Sequence, residues 1–405
     1  MGLLSRLFSQ DRESSRTEGY LIEFRFSGYA KDTIKELKNN ISRNFHVTKK
    51  KIVPHITLVG PVYTKDEKRL LKEIVNVAKN YKLIKCKFDG FDSFENRVIY
   101  VKIKPSEELK QLRLEMVEKL QEFCTLSSFD YAKNFTFHAT LVLKDIQRKF
   151  DRIWEYLQSW KISKLDQYVI RITILKKGRI LGEYDLLQRK LLNRNQSLNR
   201  KIHRKTIEIL NKNRPPTEIE FEDISDNEKI FLLSDTHFDH YRVIGFSHRP
   251  FRSIREMNYA LVKNWNNTVN DNKIFFLGDL TFGRGRRPMG YWHGKLSGQV
   301  YHIRGNHDTD MIERAEVIPD RSGIQYKGYK FLLMHKPHRP HGYDGWIIHG
   351  DKHNTNLKYY PLIHQKNKTV NVSAELVNYT PLSLDRLISL LDTGFSFRTI
   401  NEQIS

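Results

Sequence analysis

The chain has 405 residues, 39% of them hydrophobic, and a formal charge of +22, a length that accommodates two or three domains with real cores. Mean hydropathy is −0.58, and no apolar run nears the ~20 residues of a membrane helix, which excludes a helical membrane protein. Two cysteines, Cys86 and Cys124, exclude a disulfide scaffold and suit a reducing, cytoplasmic compartment with both thiols buried; the positive excess favours encounter with polyanions, nucleic acid first among them.

Residues 1–18 read as a flexible tail. The apolar patch after Met1 and Gly2 is short, no small-residue cleavage site follows it, and Arg6 stands where a myristoylation signal carries Ser or Thr. Residues 19–192 alternate strand-like and helix-like runs. Gly19–Phe26 is predicted as a strand, Lys31–Arg43 as a helix and Ile52–Val59 as a strand. Asp66–Tyr81 places Leu70, Leu71, Ile74, Val75 and Ala78 at helical spacing. Val98–Ile103 reads as a strand. Glu108–Phe123 is a helix with Leu109, Leu112, Met116, Leu120 and Phe123 inward, Phe135–Leu143 a strand, and Tyr168–Leu175 with Arg179–Asp185 a hairpin.

Two of these strands carry near-copies of one motif, Pro54-His55-Ile56-Thr57-Leu58 and Phe137-His138-Ala139-Thr140-Leu141. Residues two apart on a strand share a face, so each strand offers an imidazole and a hydroxyl on one side and apolar residues on the other. Two such strands side by side would bring His55, Thr57, His138 and Thr140 to one cleft. One histidine near its ordinary pKa can then take a proton while the other gives one. The hydroxyls can donate to phosphate oxygens. That is a metal-free arrangement for opening a cyclic phosphodiester or cleaving a 2′–5′ link. The motifs and their order, with the later Ile172–Ile180 and Glu183-Tyr184-Asp185 stretch, resemble the 2H phosphoesterases, which include the 2′–5′ RNA ligase-like proteins. The resemblance implies a bilobal α+β domain with pseudo-twofold symmetry, His55 and His138 as the acid/base pair, and Thr57 and Thr140 as phosphate binders. Which histidine is the acid stays open.

Residues 193–228 read as a charged, solvated linker with a loose helix, basic through Arg194, Arg200, Lys201, Arg204, Lys205, Lys212 and Arg214, a segment that could track a phosphate backbone, broken at Pro215-Pro216, then acidic to Glu228. In residues 229–393, short apolar runs repeatedly end in ligand-type residues: Asp235 and His237, Asp279, Asn306-His307-Asp308, His335, and His349, Asp351 and His353. Twelve of the sixteen histidines lie beyond residue 230. A buried strand is stiff, so side chains at adjacent strand ends can form a metal cage. Imidazole and carboxylate together suit Mn, Fe, Zn and similar ions. Ser253-Ile254-Arg255-Glu256 is a capping box opening a helix through Trp265. Arg284, Arg286 and Arg287, on a glycine-rich loop just after Asp279, are candidate substrate-phosphate contacts. Residues 394–405 read as a C-terminal tail.

The ordered set Asp235-Thr236-His237, Gly278-Asp279, Gly305-Asn306-His307-Asp308, His335 and His353 resembles the calcineurin-like metallophosphoesterases. The resemblance implies an αββα layered domain holding two divalent transition-metal ions, Mn foremost with Fe, Zn, Ni or Co as alternatives. Their ligands would be Asp235, His237, Asp279, Asn306, His335 and His353, with Asp279 bridging. His307 would act as the acid, oriented by Asp308. One departure stands out: the family ends in Gly-His-x-His, whereas this chain has Gly350-Asp351-Lys352-His353. Asp351, or His349 by a small shift, would have to replace the missing imidazole. Taken together, the chain is expected to process RNA ends, opening a 2′,3′-cyclic phosphate in the first domain without metal and hydrolysing the resulting monoester, or a diester, in the second. RNA repair or ligation enzymes are the expected partners. The alternatives are a phosphodiesterase of small cyclic or 2′–5′ linked nucleotides, and a nucleic-acid-binding protein with a degenerate metal site.

Overall fold

The computed structural model of the protein describes residues 18–48, 53–132, 134–143, 146–162, 165–312 and 314–402. The predicted tail 1–18 lies outside the described residues except for Glu18. The chain divides into two compact units, one comprising the residues before 39 with 48–147 and 164–214, the other comprising 39–47, 148–163 and 215–405. No helix among the described residues is long and apolar enough to cross a membrane.

The first unit carries β1 (Glu18–Arg25), β2 (His55–Thr64), β3 (Ile84–Phe94), β4 (Val98–Pro105), β5 (His138–Leu143), β6 (Asp166–Val169), β7 (Arg171–Lys176), β8 (Arg179–Asp185) and β9 (Lys190–Asn193). They form two antiparallel sheets, ordered β2-β1-β7-β8-β9 and β5-β4-β3-β6. Each histidine strand is an edge strand, and β2 lies against β5. Helix Glu67–Ala78 starts where the Asp66 carboxylate accepts from the Arg69 amide, and it buries Leu70, Ile74, Val77 and Ala78. Helix Glu107–Leu120 is capped in the same way by Ser106 and buries Leu109, Leu112, Met116 and Leu120. Cys86 and Cys124 are free and buried.

The second unit holds β10 (Phe221–Asp223), β11 (Ile230–Leu233), β12 (Lys273–Phe276), β13 (Gln299–His302), β14 (Glu316–Val317), β15 (Ser322–Tyr326), β16 (Tyr329–Leu333), β17 (Trp346–His349), β18 (Ile363–His364), β19 (Thr369–Asn371) and β20 (Leu382–Ser383). One sheet runs β14-β13-β12-β11-β20 and the other β10-β15-β16-β17-β19-β18. Strands β11 to β14 are parallel, and Leu233 pairs with Phe276, which pairs with His302. In the other sheet Leu333 pairs with Ile348 across the parallel β16–β17 ladder. Neighbouring strands therefore end level, and the segments that follow leave the sheets side by side. Both sheets feed one core: Phe231, Leu233, Ile274 and Phe276 from the first, Phe331, Leu333, Ile348 and Val370 from the second. Helix Ile254–Val269, capped by Ser253 as predicted, contributes Met257, Leu261, Trp265 and Val269. Helix Leu384–Leu391 contributes Leu384, Leu387, Leu390 and Leu391. The alternate residues Leu332, Met334 and Ile347 form a smaller cluster on the opposite face, joined by Ile219 and Tyr343.

Two boundaries differ from the expectation. The stretch 193–228 is not a bare connector: helix Arg200–Asn213 packs Thr206 and Leu210 into the first unit, and Phe221–Asp223 pairs with β15 in the second. Its charges sit on the exposed faces of these elements, which is why composition alone reads as linker. Of the C-terminal tail, 394–402 are described, and Phe397 is buried, its backbone pairing with Ile363.

Candidate functional site

In β2 and β5 the burial alternates as the sequence implies. His55 and Thr57 are half-buried while Ile56 and Leu58 are buried; His138 and Thr140 repeat this around Ala139 and Leu141. The two imidazoles are held alike. His55 Nδ1 lies 2.8 Å from the Val53 carbonyl, and His138 Nδ1 lies 2.8 Å from the Thr136 carbonyl. A carbonyl only accepts, so each Nδ1 carries the proton and each Nε2 is left for another partner. Burial holds His138 below the ordinary histidine range, with the nearby His55 charge acting in the same direction. Each His/Thr pair thus lines one face of its own strand, with its imidazole oriented by a carbonyl of that strand.

The surroundings of the two histidines differ. Glu23, buried on β1, pairs in register with Thr57 on one side and Thr173 on the other, and Thr173 pairs with Glu183. Thr57, Glu23, Thr173 and Glu183 therefore form a polar row across the sheet. Glu23 Oε2 lies 3.6 Å from His55 Nε2, and Arg25 Nε donates to Oε1 at 2.5 Å. His138 instead faces the rings of Phe94 and Tyr100 at 5.0 and 5.1 Å. Sequence reasoning missed Glu23 and Arg25. The signal was two charges at alternate positions between the apolar residues Ile22, Phe24 and Phe26 of a buried strand.

In the second unit the strand ends bring Asp235, His237, Asp279, Asn306, His335, Asp351 and His353 together. His237 Nε2 lies 3.8 Å from Asp235 Oδ1 and 3.7 Å from Asp279 Oδ2. His353 Nε2 is 3.7 Å from Asp235 Oδ1. His335 Nε2 is 3.5 Å from Asp279 Oδ2, 3.1 Å from Asn306 Oδ1 and 3.7 Å from Asp351 Oδ1. Asp279 Oδ2 thus faces His237 on one side and His335 on the other, and Asp235 faces both His237 and His353. Five of the seven residues have left-handed backbones, with φ of 58° at Asp235, 49° at His237, 62° at Asp279, 67° at Asp351 and 46° at His353. Side chains avoid that region, and such concentrations of strain persist where a site demands them. The glycines are equally constrained: a Cβ at Gly350 would collide with the Ser234 hydroxyl and the Asp235 carboxylate, and one at Gly305 with the Asp279 carboxylate.

A surrounding shell of residues, not anticipated from sequence, fixes these groups. His353 Nδ1 bonds Glu375 Oε1 at 3.0 Å, and Glu375 is paired with the buried Arg249. Arg249 also donates to the Asp235 and Thr236 carbonyls at 2.7 Å each. The hydroxyls of Ser234 and Ser373 sit 2.6 and 2.9 Å from Asp235 Oδ2. His335 Nδ1 donates to the Leu277 carbonyl at 2.7 Å, which turns Nε2 inward. Arg249 and Glu375 lie outside every motif, so nothing in their local sequence marks them.

Several predicted residues are placed differently. Asp308 does not hold the His307 ring. It accepts from the amides of Asp279, Leu280 and Gly305 and from His302 Nε2 at 2.9 Å, stapling the Asp279 loop in place. His302 is in turn 3.1 Å from His293 Nε2. His307 itself stands at the rim, its Nε2 4.0 Å from Asp279 Oδ2 and its ring against Phe282. Arg286 is committed to Asp310 in two 2.6 Å contacts, and Arg287 to Asp239 at 2.6 Å. Of the three arginines only the exposed Arg284 makes no ion pair or hydrogen bond among the described residues. His349 turns its Nδ1 to the Gly350 carbonyl and is in neither group of possible ligands, whereas Asp351 Oδ1 lies 3.7 Å from His335 Nε2.

The donor set fits divalent metal ions. Both ring nitrogens of His237 are buried and make no hydrogen bond among the described residues, an arrangement that costs stability unless something else occupies that space. Burial holds His237 well below the ordinary histidine range, leaving its lone pair available. Burial opposes protonation of His335 too, but the surrounding Asp279, Asp235 and Asp351 overcome it and raise its pKa well above the ordinary range. That cluster wants positive charge. Two groups are close enough to hold one ion each: Asp235, His237 and His353, and Asp235, Asp279 and His335.

Comparison with known proteins bears on the two-histidine part. A model of the 2′-5′ RNA ligase superfamily matches residues 28–179. The uncharacterized protein MJ1445 of Methanocaldococcus jannaschii is 44% identical over 178 residues, 43% of this chain and 97% of that protein. Through this N-terminal part the chain belongs to the 2′-5′ RNA ligase superfamily, the 2H phosphoesterases. Solved structures similar to it include AQ665 of Aquifex aeolicus, a protein of unknown function (20% identity, 40% of this chain and all of that one, TM-score 0.31), and E. coli LigT (13% identity, 42% and 98%, TM-score 0.29). LigT has also been crystallised with ATP and with 3′-AMP.

Proposed function

We propose that the chain is a phosphoesterase with two separate sites acting on RNA ends. The first site opens a terminal 2′,3′-cyclic phosphate without metal; the second, a calcineurin-like metallophosphoesterase site, hydrolyses the resulting monoester or a neighbouring diester. Superfamily membership supports the first assignment, together with the matched orientation of His55 and His138. The single observation that carries the second is the convergence of seven strand-end donors around the shared carboxylates of Asp279 and Asp235.

At the first site one Nε2 takes a proton from water as the other gives one to the departing ribose oxygen. The Thr57 and Thr140 hydroxyls donate to the phosphate oxygens. At the second, Asp235, His237 and His353 would hold one divalent cation and Asn306, His335 and Asp351 the other, with the carboxylates of Asp235 and Asp279 near enough to serve both. When bound, such a pair supplies a hydroxide nucleophile near neutral pH and positive charge for the phosphoryl group. His307, half-buried at the rim, would donate a proton to the leaving oxygen. Arg284 is the arginine left to meet a substrate phosphate. Product and substrate match across the two steps, since opening the cycle creates the monoester that the second site can remove.

The test is incubation of purified protein with Mn and an end-labelled RNA bearing a 2′,3′-cyclic phosphate. Conversion to a hydroxyl end through a monoester is expected; an RNA left unchanged overturns the reading. The salt response separates RNA from a small nucleotide, since a strand touching Z phosphates gives a log–log slope near −0.7Z.

A further inference from the structure

The two ligand groups of the second unit are not alike, and the difference traces to Asp351. Around His237 and His353 the donors are two imidazoles and the carboxylates of Asp235 and Asp279. Around His335 there is one imidazole, and every other donor is oxygen: Asp279 Oδ2, Asn306 Oδ1 and Asp351 Oδ1 at 3.5, 3.1 and 3.7 Å from His335 Nε2. The neighbouring His349 does not make up the missing nitrogen: it belongs to neither group of side chains close enough to hold an ion, whereas Asp351 Oδ1 lies 3.7 Å from His335 Nε2. Lys352 Nζ lies 2.5 Å from Asp351 Oδ2, which occupies one oxygen and leaves the other toward His335. The ammonium also sets a positive charge beside the group that would receive a cation.

Resting on the two-cation reading above, we infer that the positions are chemically unequal. The His237/His353 position takes a borderline ion such as Zn, and the His335/Asp351 position takes a harder, oxygen-preferring ion such as Mn, more weakly held. Imidazole suits Zn and Fe, whereas carboxylate and carbonyl oxygens suit Mn and Mg. Since Zn outcompetes Mn at most mixed sites, the prediction concerns the difference between positions rather than either affinity alone. Lys352 sharpens it by weakening the second position.

The experiment offers the full-length apoprotein one equivalent of Zn and an excess of Mn, then reads bound metal by elemental analysis and Mn by electron paramagnetic resonance. One Zn and one Mn per chain, with the spectrum of isolated Mn, is expected. A spin-coupled Mn pair, or Zn spread over both positions, overturns the inequality while leaving the two-cation reading intact. No bound metal of either kind overturns that reading itself. Two variants extend the test and need only gain a property. D351H should raise the preference of the second equivalent for Zn over Mn at least tenfold and leave the first unchanged. K352M should tighten the second Mn several-fold. Unchanged second-step affinities in both variants would remove Asp351 and Lys352 from the explanation.

Discussion

The two-histidine face and the strand-end cluster are built in opposite ways. His55, Thr57, His138 and Thr140 sit within regular antiparallel strands, half-buried, each histidine anchored by a carbonyl of its own chain two residues earlier. The cluster of the second unit sits past the strand ends, mostly on left-handed backbones, with Asp235, His237, Asp279 and His335 buried and Asn306, Asp351 and His353 half-buried. Acid–base work needs imidazoles that exchange protons with water and substrate, so a half-open strand face serves. Gathering carboxylates and imidazoles against one another needs a rigid, dry enclosure and a surrounding shell such as Arg249, Glu375 and Ser373. The first construction leaves little strain to offset; the second accumulates it.

That contrast can be broken most directly by removing a shared carboxylate. Asp235 belongs to both groups of possible ligands. D235N should lower metal-dependent hydrolysis by about a thousandfold and leave cyclic-phosphate opening untouched, measured on two separate substrates. A parallel loss of both activities would mean that the sites are not independent. In the other direction, H138A should slow opening by roughly 10²–10⁴-fold and leave hydrolysis of a preformed monoester at its wild-type rate. The surrounding shell predicts less: E375Q removes the negative charge that His353 and Arg249 share, and metal affinity should fall about 10–100-fold by titration with Mn.

A pH scan sharpens the comparison further. Burial lowers the pKa of His138 in the first unit and, in the second, pushes that of His293 down to about 3 from 6.5. Both histidines fold neutral, so unfolding takes up protons once the pH is below 6.5. The stability they provide is complete above that value and is lost as pH falls toward the folded pKa. A melting temperature that declines below pH 6.5, and declines less in H293Q, is expected; an unchanged profile in that variant would refute the assignment. The smallest effect belongs to Arg287, whose pair with Asp239 is partly exposed. R287A should cost no more than about 1 kcal/mol in a denaturant titration and leave turnover nearly unchanged.

Much of the fold was legible because it rests on periodicity. Leu70, Ile74 and Ala78, or Leu109, Leu112, Met116 and Leu120, report a buried helical stripe whatever surrounds them. The His-x-Thr pairs were legible for the same reason at period two. Helix Arg200–Asn213 was legible only as a loose helix in a linker and not as a packed element, since it buries only Thr206 and Leu210 and shows mostly charge. The cluster residues were legible from their order, but their partners were not. A sequence shows that Arg286, Arg287 and Asp308 stand near the cluster, not that Asp310, Asp239 and the backbone of residues 279, 280 and 305 already claim them. Hydrogen bonds between residues far apart in the chain, as between Glu375 and Arg249, leave no local pattern.

One time course tests the two-site account: labelled RNA with a cyclic phosphate end, incubated with the Mn-loaded protein, with and without chelator. The account predicts that the chelator leaves ring opening intact and halts the reaction at the monoester, which otherwise goes on to a hydroxyl end. Ring opening that stops with the chelator, or a monoester that is removed just as fast in its presence, would contradict it.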